Sequence, residues 1–290
     1  MIKTTQFKKP RAGFTIIEVI LFVAISAFLI VGLMVGMTAN IARQRYTDSV
    51  QDLADFLRIQ FQAVSNPKIP DWTQGMLLDY PSPPDCNFEG IIGFLPDGSE
   101  IPTRPGTSSC QIMGRLVVFG DESTGDEQVD TYLVVGSDAR AALVPTDNLI
   151  ERFRNSDPFI PHANLSDRYL MQYGATPEVI APSRDLLRAA ILVIRPPASS
   201  AVRTLIYTSD SFRNFFNAWT AATSGNNDPS AIFSSGDFSF ANFSITGELD
   251  ICVGSDDIFA VSRRRNIRVK AGGTNASAVE LISEGESICE

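Results

Sequence analysis

One carboxylate, that of Glu18, lies inside an apolar segment that runs from Phe14 to Ala39. A charged residue at the centre of a membrane-spanning helix costs about 2.5–3.5 kcal/mol on insertion scales, and less near a helix end. Such a residue is therefore by default a candidate functional site.

The residues before Glu18 form a motif that begins with a basic leader ending at Gly13. The leader's cations are Lys3, Lys8, Lys9 and Arg11. The motif resembles the class III signal peptide of type IV pilins and of the pseudopilins of type II secretion. That peptide has Gly, then Phe or Met, Thr, two aliphatic residues, Glu and a long apolar helix. The positions are filled here by Gly13, Phe14, Thr15, Ile16, Ile17, Glu18, Val19 and Ile20.

The resemblance implies a processing and assembly route. A membrane peptidase would cut between Gly13 and Phe14, and the new amino terminus of Phe14 would be N-methylated. Glu18 would then pair with the N-terminal amine of a neighbouring subunit. The implied partners are other pilin subunits, the prepilin peptidase, an inner-membrane assembly platform and the membrane. The close match covers residues 8–20 and implies nothing about what the rest of the chain binds.

Two simpler interpretations compete with a prepilin leader. An ordinary secretory signal has an apolar region of about 7–15 residues followed by a small-residue cleavage site. The segment from Val19 to Ala39 has 21 residues without Lys, Arg, Asp or Glu. As a helix it spans about 31 Å, enough for the hydrocarbon core of a bilayer. A plain single-pass anchor explains this length and the basic flank, but not Gly13-Phe14 or Glu18.

The charge of the chain argues against general nucleic-acid affinity. The 290 residues carry a formal charge of −9, and removing residues 1–13 removes four positive charges to leave −13. Binding to phosphates requires a positive surface that displaces counterions. The length is ample for a well-buried core.

All four cysteines follow the apolar segment, as expected for an exported region that forms disulfides. Four cysteines allow three pairings. We favour nearest-neighbour pairing, because each bond then closes a local loop, with free buried thiols as the alternative. The expected pairs are Cys86–Cys110 and Cys252–Cys289.

Candidate sites in the remaining sequence are weak. The acidic stretch from Asp121 to Asp130 has enough oxygen ligands for Ca²⁺ but not the spacing of a recognised calcium loop, so a solvated hairpin tip is favoured and no metal is expected. The basic run Arg263-Arg264-Arg265 with Arg268 and Lys270 could contact DNA phosphates, but arginines that neutralise acidic neighbours on a strand are favoured. His162 is the only histidine, and no nucleophile motif accompanies it. We expect no enzymatic activity and no cofactor.

The sequence predicts one long helix. No proline interrupts residues 14–66, and Asn66-Pro67 ends the helical pattern. We expect a transmembrane half over 14–39 and an amphipathic half over 40–65. The absence of a proline in the membrane half leaves Gly32 and Gly36 as the points for bending or for close helix packing. The apolar stripe of the second half is Tyr46, Val50, Leu53, Leu57, Phe61 and Val64.

A β-rich head is predicted over 66–290. Strands are expected at Ile91–Leu95, Ile112–Phe119, Val129–Val135, Leu186–Arg195 and Val202–Tyr207, and a short helix with an aromatic face at Asp210–Ala222. A final antiparallel meander is expected from Phe238–Ile245, Glu248–Val253, Ile258–Val261 and Ile267–Lys270.

These elements predict an α+β fold, in which a long N-terminal helix packs its second half on a mainly antiparallel head. That is the pilin-like architecture which the resemblance implies. With a head this large, a minor pilin or pseudopilin is expected rather than a repeating major subunit. It would lie in the cell membrane with a cytoplasmic N-terminus and, after assembly, in a cell-surface filament. A pilus-displayed adhesin, a DNA-binding module and a plain anchored exported protein stay open.

Overall fold

The computed structural model describes residues 13–66, 93–94, 100–101, 110–119, 128–137, 148–156, 158, 167–180, 189–196, 201–207, 243–255, 265–282 and 289. Within them the protein has an α+β fold, with a long helix at its N-terminus and antiparallel sheets after it. The expected α+β class is therefore confirmed.

Helix α1 extends without interruption from Ile16 to Ser65, so the single long helix is also confirmed. Its 50 residues span about 75 Å. It ends where the sequence predicts, since the N–H of Asn66 donates to the carbonyl of Gln62 and Pro67 follows. The carbonyl of Ser65 accepts a hydrogen bond from Arg195, which satisfies one of the backbone groups that a helix end leaves open.

The β-structure of the described residues comprises three antiparallel sheets. A small hairpin joins β1 (Gly93–Phe94) to β2 (Glu100–Ile101). The six-stranded sheet contains β3 (Cys110–Phe119), β4 (Gln128–Ser137), β5 (Asp167–Leu170), β7 (Ala189–Ile194), β8 (Arg203–Tyr207) and β9 (Phe243–Ser244). Its strand order is β5-β4-β3-β7-β8-β9.

The four-stranded sheet contains β6 (Ala175–Ile180), β10 (Glu248–Ser255), β11 (Arg265–Lys270) and β12 (Val279–Ile282). Its strand order is β12-β11-β10-β6. A 3-10 turn, Ala276–Ala278, precedes β12, and a short helix α2, Leu149–Asn155, lies between β4 and β5 in the chain.

The predicted meander is only partly correct. Strands β10, β11 and β12 form one, but Phe243–Ser244 pairs with β8 in the other sheet. The chain changes sheets at the turn after Ser244, where Gly247 has φ +108°, a conformation open to glycine but strained for other residues. The expected segments Asp210–Ala222 and Ile258–Val261 lie outside the described residues.

Helix α1 packs against both larger sheets through the predicted stripe. All six residues of the stripe are buried, in one apolar cluster with side chains such as Ile191 of β7 and Ile251 of β10. The opposite face of the six-stranded sheet packs on Phe153 of α2. Because both of its faces are covered, β7 is buried at every position and its sequence is uniformly apolar.

The hydroxyl of Tyr46 fixes the start of the packed half of α1. It donates to the carbonyl of Val253 at 2.7 Å and accepts the backbone N–H of Arg265 at 2.6 Å. One buried side chain thus joins the helix to the adjacent ends of β10 and β11.

Candidate functional site

The Gly13–Phe14 bond lies in non-helical, exposed backbone immediately before α1. The side chain of Phe14 is 85% exposed. Within the described residues nothing lies within 4 Å of a Cβ placed on Gly13. A peptidase could therefore reach this bond without first unfolding a helix.

Thr15 and Glu18 form a capping box at the start of α1. The hydroxyl of Thr15 accepts the N–H of Glu18 at 3.3 Å, and the Glu18 carboxylate accepts the N–H of Thr15 at 3.0 Å and its hydroxyl at 3.1 Å. Each side chain satisfies a backbone donor that the helix start would leave unpaired. The carboxylate also lies at the positive end of the helix dipole.

The first half of α1 exposes apolar side chains on all of its faces. The most hydrophobic part of α1 has no residue buried inside the described structure, and the helix is long and apolar enough to cross a membrane. Gly32 and Gly36 lie in this half, and the helix is continuous through both. The large exposed side chains include Phe14, Ile16, Ile17, Ile20, Phe22, Phe28, Leu33, Met34 and Met37.

The calcium candidate is not supported at Asp130, the one described acidic residue of its stretch. Asp130 lies inside β4, is buried and accepts hydrogen bonds from Gln128 at 2.7 Å and Arg168 at 3.1 Å. Its carboxylate is thus compensated by protein groups and is not at a solvated hairpin tip. The other acids, Asp121, Glu122, Asp126 and Glu127, lie outside the described residues.

Two described residues of the basic run, Arg268 and Lys270, are paired with acids, as the favoured interpretation predicts. Arg268 contacts Asp250 at 2.8 Å and Glu248 at 3.1 Å, and Lys270 contacts Glu280 at 2.7 Å. The hydrogen bond to Asp250 raises the pKa of the Arg268 guanidinium above its usual value. These two side chains are therefore poor candidates for DNA contacts. Arg263 and Arg264 lie outside the described residues.

A disulfide joins Cys252 of β10 to Cys289, with a Cα–Cα distance of 5.7 Å. This agrees with the nearest-neighbour pairing expected for the second cysteine pair. Cys110 lies at the start of β3, and Cys86 lies outside the described residues, as does His162. Among the described residues, no group of three or more His, Cys, Asp or Glu side chains could hold a metal ion.

Two structural features were not identified from the sequence, the capping role of Thr15 and the hydroxyl bridge of Tyr46. The sequence does contain a signal for the first, because Thr-x-x-Glu before an apolar run is the signature of a capping box. No local signal predicts the hydroxyl bridge of Tyr46, because its partners are 207 and 219 residues away in the chain.

No family model matches the chain, and no curated protein and no solved structure matches it significantly. What the fold defines is an α+β protein in which a long apolar N-terminal helix is followed by a β-rich domain.

Proposed function

We propose that the chain is the precursor of a type IV pilin-like subunit, most closely a minor pilin or pseudopilin. A prepilin peptidase would cut it after Gly13, and it would assemble into a surface filament through the first half of α1. The carrying observation is the placement of the motif: Gly13–Phe14 is exposed ahead of a helix start that Glu18 caps, and an uncovered apolar helix follows.

The division of α1 into two halves supports assembly through the helix. The second half is held by the head, whereas the most apolar stretch of the first half has no residue buried in the part of the chain that the structure describes. Membrane lipid can cover it before assembly, and equivalent helices can cover it in a filament.

Cleavage would change the electrostatics around Glu18. The released amine of Phe14 would carry a positive charge at neutral pH, close to the positive end of the helix dipole. In a single subunit the Glu18 carboxylate is satisfied by Thr15. In a filament it would be free to exchange these bonds for a neighbour's ammonium, and a misplaced subunit would leave both charges unpaired.

The first test is the substitution Gly13→Ala in cells that contain a prepilin peptidase. We expect an uncleaved precursor in the membrane, identified by mass spectrometry of the N-terminus. Gly32→Ala is the matched control, because a Cβ there meets nothing within 4 Å and cleavage should continue. A wild-type chain that keeps residues 1–13 would indicate a plain membrane anchor instead.

The second test is Glu18→Gln, which removes the charge but keeps a residue suited to the capping box. We expect normal cleavage and about tenfold or greater loss from sheared filaments, because the neighbour's ammonium would lack its counter-ion. Thr15→Ala weakens the cap and keeps the charge, so its incorporation should fall less. Equal incorporation of Glu18→Gln and wild type would contradict the pairing role.

A further inference from the structure

The turn between β5 and β6 runs along α1 toward the first half of the helix. Tyr169 stacks on Phe56 with ring centroids 4.7 Å apart, and Ser49 donates to the carbonyl of Gln172 at 3.2 Å. The guanidinium of Arg45 lies 5.4 Å from the ring centroid of Tyr173. The chain from Tyr169 to Tyr173 thus descends the helix toward its apolar half.

The backbone of Tyr173 adopts a conformation that a bulky residue does not favour. Its φ is +60°, and within the described residues it is the only residue other than glycine with a positive φ. Such a conformation is strained for a bulky residue. Yet Tyr173 is 53% exposed, so burial in the head does not explain the strain. Tyrosine is enriched where a protein meets the boundary between membrane and water.

The charges of α1 are segregated along its axis. Arg43 and Arg45 follow Ile41, an exposed apolar residue just beyond the first half, by two and four residues, about 3 and 6 Å along the axis. The acids come after them, farther from the apolar half. These acids are Asp48, Asp52 and Asp55. The two cations thus form a positive band directly above the apolar half.

We propose that Arg43, Arg45 and Tyr173 form a collar that binds the headgroups of anionic phospholipids where α1 leaves the membrane. This inference rests on the proposed membrane insertion of α1. Arginine matches phosphate oxygens in a bidentate geometry, and the phenol of Tyr173 lies at headgroup depth. Arginines beside the exported end of a transmembrane helix oppose the usual charge bias, and pairing with lipid phosphate offsets that cost.

The test uses the full chain with p-benzoylphenylalanine at position 173, in vesicles of phosphatidylcholine and phosphatidylglycerol at about 3:1. After irradiation, mass spectrometry identifies the lipid adducts. We expect phosphatidylglycerol to be enriched about two- to fivefold over its share of the vesicle, because each arginine near an anionic surface adds attraction. In Arg43→Gln/Arg45→Gln the enrichment should disappear.

Two controls make the result specific. Lys8→Gln/Lys9→Gln removes the same charge from the leader that precedes α1 in the sequence and should keep the enrichment. The photoreactive residue at Leu281, on β12 near Arg58, should give no lipid adduct. Adducts at position 173 in the vesicle ratio, or only to a second copy of the chain, would overturn the collar and leave the proposed pilin-like function intact. A chain that alkali extracts from the vesicles would overturn membrane insertion and the collar together.

Discussion

In the proposed assembly, Glu18 would serve two roles with one carboxylate. In the single chain it completes the capping box with Thr15, a contribution of about 1 kcal/mol or less to helix stability. That is smaller than the cost of leaving a buried charge unpaired, about 3–5 kcal/mol. The ammonium group of a neighbouring chain could therefore replace the hydrogen bonds from Thr15. Before such a neighbour arrives, those bonds from Thr15 satisfy the Glu18 carboxylate.

Tyr169 leads to a prediction about alkaline pH. Burial, and to a lesser extent the charge of Asp52, raises the pKa of its phenol to about 12 from 10. Between these values the folded chain keeps a proton that the unfolded chain has lost, so stability should fall as the pH rises from about 10 to 12.

The substitution Tyr169→Phe should reduce that fall. Within the described residues the phenol oxygen has no hydrogen-bond partner, so removing it should cost little at neutral pH. Denaturant unfolding of the full chain in detergent, followed by near-ultraviolet circular dichroism at several pH values, measures the difference. Identical slopes for the two proteins above pH 10 would contradict it.

Helix α1 is one element with two environments. Its first half is apolar around its whole circumference, and its second half carries one apolar stripe and a polar face. Docking of the stripe holds the helix to the head, so we expect stability to depend on the stripe and not on the helix surface.

Leu53→Ala should destabilise the head by about 3 kcal/mol, because Leu53 is fully buried and truncation leaves a cavity. Ile59→Ala is the matched control on the same helix. Ile59 is 54% exposed, so its truncation should change stability by about 0.5 kcal/mol or less. Denaturant midpoints of the two variants in detergent measure the effect, and equal losses would contradict the packing argument.

The helix and its buried stripe were predictable from the sequence because 3.6-residue periodicity is a local signal. The central strands β3, β4, β7 and β8 were predictable for a similar reason, since their apolar runs are long. Strand β6 was missed because it contains Pro177, which cannot donate to a ladder. Pro177 is tolerated because β6 is an edge strand, which pairs only with β10 among the described residues.

Contacts between residues that are distant in the chain were harder to predict from the sequence. The assignment of Phe243–Ser244 to the meander was wrong because the local pattern does not show that Gly247 sends the chain to another sheet. At the candidate site, the sequence showed the cleavage motif and Glu18, while the proximity of Arg45 to Tyr173 depends on a turn 128 residues later in the chain.

At the scale of the whole molecule, the disulfide secures the C-terminal segment to the four-stranded sheet. It joins residues 37 positions apart, and closing a loop of that size in the unfolded chain corresponds to about 2–4 kcal/mol. The replacement Cys252→Ala/Cys289→Ala should therefore lower the free energy of unfolding by about this amount.

Unfolding in detergent with and without a reductant tests this prediction. The reductant should destabilise the wild type more than the double variant, since the variant has already lost this bond. An unchanged midpoint in the double variant would show that the packing of β10 and β11 alone determines stability.

The bridge made by Tyr46 determines how the molecule would carry mechanical tension. Tyr46 is the first large side chain of α1 to be buried in the head, so a pull on the apolar half arrives there first. The hydrogen bonds of its hydroxyl to Val253 and Arg265 transmit this force to the ends of β10 and β11. The residue beside Val253 is Cys252, whose bond to Cys289 continues the path covalently. Under tension the chain would therefore yield by separation of α1 from the sheets before its C-terminal strands unfold.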